Sequence, residues 1–170
     1  MLTFLFRTLT DPSSGGAALF DSATRRARLP HWYVEGKVPD TLDGRFAVLA
    51  TILALVLVRL ESLGEDGNLL SVALTERFIH VMESEHRELG LGDPTLGKTV
   101  RKLVGALEWR TDAWRLAAAG ERGWTTTAEE SLYKGNAAPE AVEHCGEALQ
   151  RLWLSLEQVG IERLKQGELE

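Results

Sequence analysis

The chain has 170 residues, of which 26% are charged and 44% are hydrophobic, and its formal net charge is −6. These proportions are typical of globular domains and exclude a disordered tail, a collagen-like repeat and a nucleic-acid binder that relies on bulk positive charge, so we expect no DNA partner. The length predicts one domain with a sizeable core. The single cysteine, Cys145, cannot form an internal disulfide or a four-cysteine metal site.

The N-terminal residues combine a short apolar stretch with a turn-forming sequence. Leu2, Phe4, Leu5 and Phe6 precede Arg7, an order that lacks the basic region and the longer apolar run of a secretory signal. Residues 11–16 read DPSSGG, which is typical of a flexible break. We therefore predict a flexible segment over residues 1–16, with contact of the apolar stretch with a membrane surface as the alternative.

Two helices are predicted in the next part of the chain. The first covers residues 17–28 and ends before Pro30. The second follows a cap at Asp40 or Thr41 and continues to about residue 61. Its apolar run, residues 46–58, would be about 20 Å long as a helix, whereas the hydrocarbon core of a bilayer is about 30 Å thick. We therefore predict a helix that is buried on almost all sides.

The third and fourth predicted helices are separated by the sequence GLGDP at residues 90–94. The third helix covers about 71–89 and the fourth ends at about residue 119. Gly90 is suited to a helix C-cap, Asp93 to an N-cap and Pro94 to the first helical position. The predicted buried stripes are Val72, Thr75, Ile79, Met82, His86 and Leu89 on the third helix, and Leu96, Val100, Leu103, Val104, Leu107 and Trp114 on the fourth.

A short helix over 126–133 and a last helix over 139–165 complete the predicted elements. The last helix has the most regular stripe, formed by Cys145, Leu149, Leu152, Leu156 and Val159. Convincing alternation of the kind that marks strands is absent from the sequence. The fold class is therefore predicted to be all-α, a single compact domain of about six helices over residues 17–165, followed by a C-terminal tail over 166–170.

Residue patterns typical of catalysis are sparse. The sequence has no phosphate-binding loop and no GxSxG elbow, and Cys145 lies on a buried stripe, as a structural thiol does. Glu83 and His86 form an ExxH motif, but a di-iron bundle needs two such motifs and two further glutamates. We therefore expect no metal, no cofactor and no enzymatic activity, with a metal-dependent helical enzyme that uses Glu83 and His86 as an alternative.

A group of basic residues and one tryptophan indicate a binding surface. Lys98, Arg101 and Lys102 lie near the start of the fourth predicted helix, where cations oppose the helix dipole. They form either a solvated face with glutamate partners or a docking patch for an acidic or RNA-containing partner. Trp109 lies off the buried stripe, so we predict that it is exposed, and exposed aromatic residues are frequent at binding hot spots.

Two blocks of the sequence resemble the ubiquinol–cytochrome c chaperone family. The first contains VPDT at residues 38–41, GRF at 44–46 and RL at 59–60, and the second contains MESEHRELGLGD at 82–93 and LGKTVRK at 96–102. The sequence LYKG at 132–135 is similar to a later element of the family. The resemblance covers roughly residues 19–160.

This resemblance implies a non-enzymatic assembly factor of the cytochrome bc1 complex. It implies binding of newly made cytochrome b, with the ribosome or a small partner protein as possible further partners. Since we find no transit peptide, the chain resembles a bacterial member that acts in the cytoplasm or on the inner face of the cytoplasmic membrane. The candidate partner-binding residues are Lys98, Arg101, Lys102, Asp93, Arg45, Trp109 and Arg110. A helical interaction domain unrelated to respiration is the alternative.

Overall fold

The computed structural model describes residues 12–170, and over this range it contains seven α-helices and no strand, which confirms the all-α prediction. The helices are α1 (Pro12–Ala27), α2 (Leu42–Glu61), α3 (Gly64–Glu88), α4 (Asp93–Ala118), α5 (Trp124–Leu132), α6 (Pro139–Gln158) and α7 (Ile161–Lys165). A short 3-10 helix, Pro30–Trp32, follows α1. The apolar stretch at residues 2–6 and its proposed membrane contact lie outside the described residues.

Helix α2 forms the centre of the fold. Every residue from Ala50 to Val58 is buried, because α1, α3, α4, α5 and α6 all pack around this helix. The prediction of a helix buried on almost all sides is therefore correct. Within residues 12–170, no helix is long and apolar enough to cross a membrane.

Two close approaches of the backbone set the position of α1. A Cβ atom on Gly16 would lie 2.6 Å from the carbonyl carbon of Ala73 in α3, so glycine lets these helices pack backbone to backbone. At the other end of the chain, Gly167 has a φ of +82°, and a Cβ atom there would lie 2.7 Å from the oxygen of Ala18. The C-terminal residues are thereby packed against α1.

Arg59 connects the end of α2 to the end of α6. Its guanidinium donates hydrogen bonds to the carbonyl oxygens of Leu156 (2.9 Å), Glu157 (3.2 Å) and Val159 (3.2 Å). The last carbonyls of a helix have no partner within the helix, so a cation that binds them both satisfies these acceptors and interacts favourably with the helix dipole. This contact fixes where α6 ends.

Several predicted boundaries are wrong. Helix α1 begins at Pro12 instead of residue 17, and α3 begins at Gly64, because Gly67 lies within the helix against the Leu60 oxygen instead of breaking it. Gly92, not Asp93, is the N-cap residue of α4. The last predicted helix is two helices, α6 and α7, separated at residues 159–160. Leu169 is buried, so residues 166–170 include a packed position.

The predicted stripes differ in accuracy. All five stripe residues of α6 are buried, and Leu96, Val100, Leu107 and Trp114 of α4 are buried as well. On α3 the predicted stripe is correct at Met82, which is buried, and wrong at Val72 and Leu89, which are 58% and 66% exposed. The buried face of α3 consists of Leu70, Ala73, Leu74, Phe78 and Met82. The error arises because α3 packs between α1 and α2, and apolar residues occur on more than one of its faces.

Candidate partner-binding site

An open cavity of about 300 Å³ lies between the end of α1, the start of α2, the end of α3 and the first half of α4. Its apolar lining consists of Ala27, Leu42, Phe46, Leu49, Met82, Leu89 and Leu103. Its polar lining consists of Thr24, Arg28, Tyr33, Asp43, Arg45, Glu85 and His86. A concave surface that combines apolar side chains with polar and charged ones is typical of a ligand or partner site.

Two exposed leucines lie on the lining of this cavity. Leu42 is 76% exposed and Leu89 is 66% exposed, the highest exposures among the large exposed hydrophobic residues of the described chain. They come from the start of α2 and the residue after α3, so only the fold brings them together. We call Leu42, Leu89 and the opening between them the cavity mouth. Exposed apolar side chains beside an apolar cavity mark a binding surface.

Local sequence features fix both sides of the cavity mouth. The Thr41 hydroxyl accepts a hydrogen bond from the Gly44 amide (3.2 Å) and caps α2 just before Leu42. A Cβ atom on Gly44 would lie 1.8 Å from the Pro39 oxygen, so glycine is required for this tight start. Leu89 is the C-cap residue of α3, one residue before the predicted Gly90, and Gly90 follows it with a φ of +89°, the left-handed conformation that ends the helix.

Ion pairs join the charged rim of the cavity to its surroundings. Arg45 Nε donates to Asp40 (2.6 Å), and this hydrogen bond holds the pKa of the Asp40 carboxyl below its usual value. Lys134, which follows α5, donates to Asp43 (2.5 Å) and lowers the pKa of that carboxyl, with a smaller contribution from the charge of Lys102. All of these groups are exposed, so the pairs orient the rim more than they stabilise the fold.

Glu83 and His86 do not form a metal centre with other residues. Within residues 12–170, no group of three or more His, Cys, Asp or Glu side chains is arranged to hold a metal ion. Glu83 is exposed. The Nδ1 atom of His86 lies 2.8 Å from the Met82 oxygen, a contact that requires the ring proton on Nδ1. His86 is thus a half-buried residue of the cavity rim.

The basic patch, which we define as Lys98, Arg101 and Lys102, lies on the outward face of α4. All three side chains are exposed, and none of them is within 4.0 Å of a carboxylate in the described part of the chain. The alternative in which glutamates neutralise these residues is therefore not what the structure shows. Trp109, on the same face of α4, is 44% exposed, as predicted.

The remaining predicted residues lie in different surroundings. Asp93 is exposed at the start of α4, 4.0 Å from Arg87. Arg110 points inward: it donates to the oxygens of Ala106 (2.9 Å) and Ser131 (2.7 Å), and burial lowers its pKa. Its guanidinium lies 5.9 Å from the ring centre of Phe46, which lines the cavity. Arg110 is therefore a positioning residue for the cavity wall, because two of its three guanidinium nitrogens donate within the protein and the third, Nε, is buried.

Two long-range contacts could not be inferred from the sequence. His31 Nδ1 lies 3.0 Å from His144 Nε2, across 113 positions of the chain. The Tyr133 hydroxyl donates to the Gly36 oxygen (2.5 Å) and lies 3.3 Å from the Cys145 sulfur. Burial raises the pKa values of both Tyr133 and Cys145, which identifies Cys145 as a protonated structural thiol. Both contacts hold the loop after α1 against α6.

An all-helical fold with an apolar cavity that opens between exposed leucines is characteristic of a helical binding protein. Its family is also identified: the model of the ubiquinol-cytochrome C chaperone family matches residues 34–169. The chain therefore belongs to the ubiquinol–cytochrome c chaperone family, which confirms the resemblance inferred from the sequence and assigns the chain to the assembly chaperones of the cytochrome bc1 complex.

A solved structure supports the same fold. The crystal structure of the Cbp3 homolog from Brucella abortus is similar to this chain with a TM-score of 0.81 and 23% sequence identity. The similarity covers 99% of this chain and 94% of that chain. No curated protein matches the chain. The bacterial structure therefore supports the fold, while the family model carries the functional class.

Proposed function

We propose that the chain holds newly made cytochrome b during assembly of the cytochrome bc1 complex, and that the cavity mouth receives an apolar segment of this client. The observation that carries the proposal is the position of Leu42 and Leu89, two strongly exposed leucines on one apolar cavity. Family membership favours a role as a binding protein and not as an enzyme.

The chemistry of the cavity mouth is suited to such a client. Cytochrome b is a membrane protein, and its membrane segments expose apolar side chains to water before insertion. Removing apolar surface from water contributes roughly 25 cal/mol per Å². On contact, Leu42, Leu89 and the apolar side chains of the client would all be removed from water. The charged rim formed by Arg28, Arg45 and Glu85 would stay solvated and limit non-specific aggregation.

The basic patch provides a second contact surface, which is charged, whereas the cavity mouth is apolar. Lys98, Arg101 and Lys102 have no carboxylate partner within the described chain, so they are available to an acidic surface of a partner. We propose that this partner belongs to the synthesis machinery, either the ribosome or a small partner protein, with Trp109, Asp93 and Arg45 at the edges of the contact. The chain would then act in the cytoplasm or peripherally on the inner face of the cytoplasmic membrane, where the client is inserted.

The first experiment tests the cavity mouth. We expect that Leu42→Asp together with Leu89→Asp lowers the level of the bc1 complex when it replaces the native gene, because a charged mouth no longer binds apolar chain. Both positions are exposed, so circular dichroism and the melting temperature should stay close to those of the native protein. Blue-native gels and haem spectra of membranes measure the complex.

The matched control is Leu154→Asp, because Leu154 is 55% exposed on α6 and does not line the cavity. This variant should leave the complex at its native level. A normal level in the Leu42 and Leu89 variant would contradict the role of the mouth. An unchanged complex on deletion of the gene would instead favour an interaction domain unrelated to respiration.

The second experiment tests the basic patch. We expect that reversing Lys98, Arg101 and Lys102 together to Glu lowers the level of the bc1 complex without unfolding the protein, because the three side chains form no internal ion pair in the described chain. Affinity purification followed by mass spectrometry should show whether cytochrome b and ribosomal proteins are lost together or separately.

The control for this variant changes the net charge equally on other surfaces. Arg25, Lys37 and Arg151 are exposed and lie outside α4, so their joint reversal to Glu reproduces the charge without touching the patch. If both variants lower the complex to the same extent, bulk charge and not the patch would be responsible.

A further inference from the structure

The outward face of α4 carries opposite charges in its two halves. Lys98, Arg101 and Lys102 lie in the N-terminal half, and Glu108 and Asp112 lie in the C-terminal half. All five side chains are exposed. Since a helix turns by about 100° per residue, all five project within about 60° of the direction of Gly105, which lies midway between the two halves.

Gly105 has no function in the packing of residues 12–170. It is exposed in the interior of a long helix, and a Cβ atom there would meet nothing within 4 Å. Its φ is not positive, so the backbone does not require glycine either. Glycine in a helix interior costs roughly 0.5–1 kcal/mol relative to alanine, and its usual advantage is the close approach of another chain. The position is therefore suited to a contact outside this chain.

We propose that a second copy of this chain packs its α4 antiparallel against the first, with the two-fold axis passing beside Gly105. An antiparallel two-fold pairs residues that lie on the same side of the crossing and at similar distances before and after the axis. The basic half of each helix then faces the acidic half of the other. A parallel arrangement would instead place cations against cations.

The pairs that this symmetry creates are specific. Arg101 faces Glu108 of the second copy on one side of the crossing, and Lys102 faces Trp109 of the second copy on the other side. Lys98 faces Asp112 of the second copy near the centre line. The first and last pairs are ion pairs, and the middle one places an ammonium group beside an exposed indole, a favourable cation–π arrangement. Each pair occurs twice in the dimer.

The charges that would form these pairs are largely free in the single chain. Within residues 12–170, Glu108 and the basic patch have no oppositely charged side chain within 4.0 Å. Asp112 pairs with Arg115 on its own helix (2.7 Å), and Arg115 also pairs with Glu61 of α2 (2.7 Å); this network is exposed. The Arg101–Glu108 pairs would therefore form without breaking an internal ion pair, and Lys98 would join the exposed network at Asp112.

The contact is that of a single helix crossing. Interfaces below about 1,200 Å² of total buried surface belong to weak, transient complexes. We therefore expect a monomer and a dimer that exchange as the concentration changes. The dimer covers the basic patch, so self-association and the binding of a charged partner to the patch exclude one another.

A cysteine at the axis tests the geometry directly. In the dimer the two copies of residue 105 are adjacent, so Gly105→Cys should form a disulfide-linked dimer under mild oxidation, visible on a non-reducing gel. The control is Gly97→Cys, also on α4, which lies eight residues and so about 12 Å along the helix from the axis; its two copies would be too far apart to bond, and the variant should stay largely monomeric. The native Cys145 is buried, so the unmodified chain should not be linked.

A charge exchange tests the partner. Sedimentation velocity over a concentration series should show that Arg101→Glu or Glu108→Arg alone raises the dimer dissociation constant about tenfold or more. The two substitutions together should restore most of the native affinity, because the exchanged charges attract again. Both measurements use the purified chain, so they do not depend on the proposed function.

Three results would overturn the proposal. They are a native chain that stays monomeric at every concentration, equal disulfide formation by Gly105→Cys and Gly97→Cys, and a double charge exchange that fails to restore association. Binding of RNA or of an acidic protein to the face of α4, with no self-association, would identify a different occupant and also overturn it.

Discussion

At the scale of single residues, Tyr133 shows how one polar atom connects distant parts of the chain. Its hydroxyl donates to the Gly36 oxygen at 2.5 Å, and the Ala141 oxygen lies 3.3 Å away. Gly36 is buried against Cys145, and a Cβ atom there would lie 2.5 Å from the Cys145 sulfur. The hydroxyl thus satisfies a carbonyl in a place that water reaches poorly.

We predict that Tyr133→Phe lowers the free energy of unfolding by about 1–3 kcal/mol, because the Gly36 carbonyl is left with only the long contact (4.0 Å) from the weakly donating Cys145 thiol. Urea unfolding followed by tryptophan fluorescence measures the difference. An unchanged midpoint of unfolding would mean that water or another donor replaces the hydroxyl.

At the scale of elements, the crossing of α1 and α3 depends on the absence of a side chain at Gly16. A Cβ atom there would lie 2.6 Å from both the carbonyl carbon and the oxygen of Ala73, and backbone atoms cannot move aside as a flexible side chain can. Gly16→Ala should therefore separate the two helices and lower the free energy of unfolding by about 2 kcal/mol, within the range measured for overpacked cores.

Gly105→Ala is the matched control for this prediction, because a Cβ atom on Gly105 meets nothing within 4 Å. The same chemical change should there raise the free energy of unfolding by about 0.5–1 kcal/mol, since alanine is favoured over glycine in a helix. Thermal or urea unfolding of both variants, at a concentration at which the chain is monomeric, measures whether the free energy of unfolding falls in Gly16→Ala and rises in Gly105→Ala. A loss of stability in both would show that the effect is not one of close packing.

At the scale of the whole molecule, the partial burial of His31 beside His144 makes the free energy of unfolding depend on pH. Burial, and next the charge of His144, lower the pKa of His31 below 6.5; Arg26 and Arg151 act in the same direction, and Glu35 opposes them. As the pH falls below 6.5, the unfolded chain therefore binds a proton that the folded chain does not bind until the pH reaches the lowered value. The free energy of unfolding should decrease over that window.

We predict that His31→Gln reduces this loss of stability, because the titrating group is removed. Urea unfolding at a series of pH values between neutral and mildly acidic checks it, with His80→Gln, a change at an exposed histidine, as the control. If the free energy of unfolding falls equally steeply as the pH is lowered in the native chain and in His31→Gln, groups other than His31 cause the pH dependence.

The fold was predictable to the extent that it depends on local pattern. The apolar run of α2 and the regular stripe of α6 each identify a buried helix, because burial on a helix follows the spacing of its own side chains. The exposure of Trp109 follows from the same spacing. On α3 this reasoning failed, since Leu69 and Val72 are exposed although they are as apolar as the buried Leu70 and Leu74.

The candidate site was less predictable than the fold. The basic patch could be found because its three residues are close in the sequence and share one face of a helix. The cavity mouth could not be found, because Leu42 and Leu89 lie 47 positions apart, at the ends of two different helices. Arg110 was predicted as a partner contact, yet its guanidinium turns inward to the Ser131 oxygen of α5. No residue near Arg110 in the sequence predicts that it donates to the Ser131 oxygen.

Patterns of residues close together in the chain were sufficient to predict the helical class, the central buried helix, the family and the cationic surface of α4. The packing of the helices was needed to show which leucines border a common cavity, which histidines meet and which arginine is buried. Those outcomes depend on contacts between residues far apart in the chain, and such contacts exist only after the helices have packed.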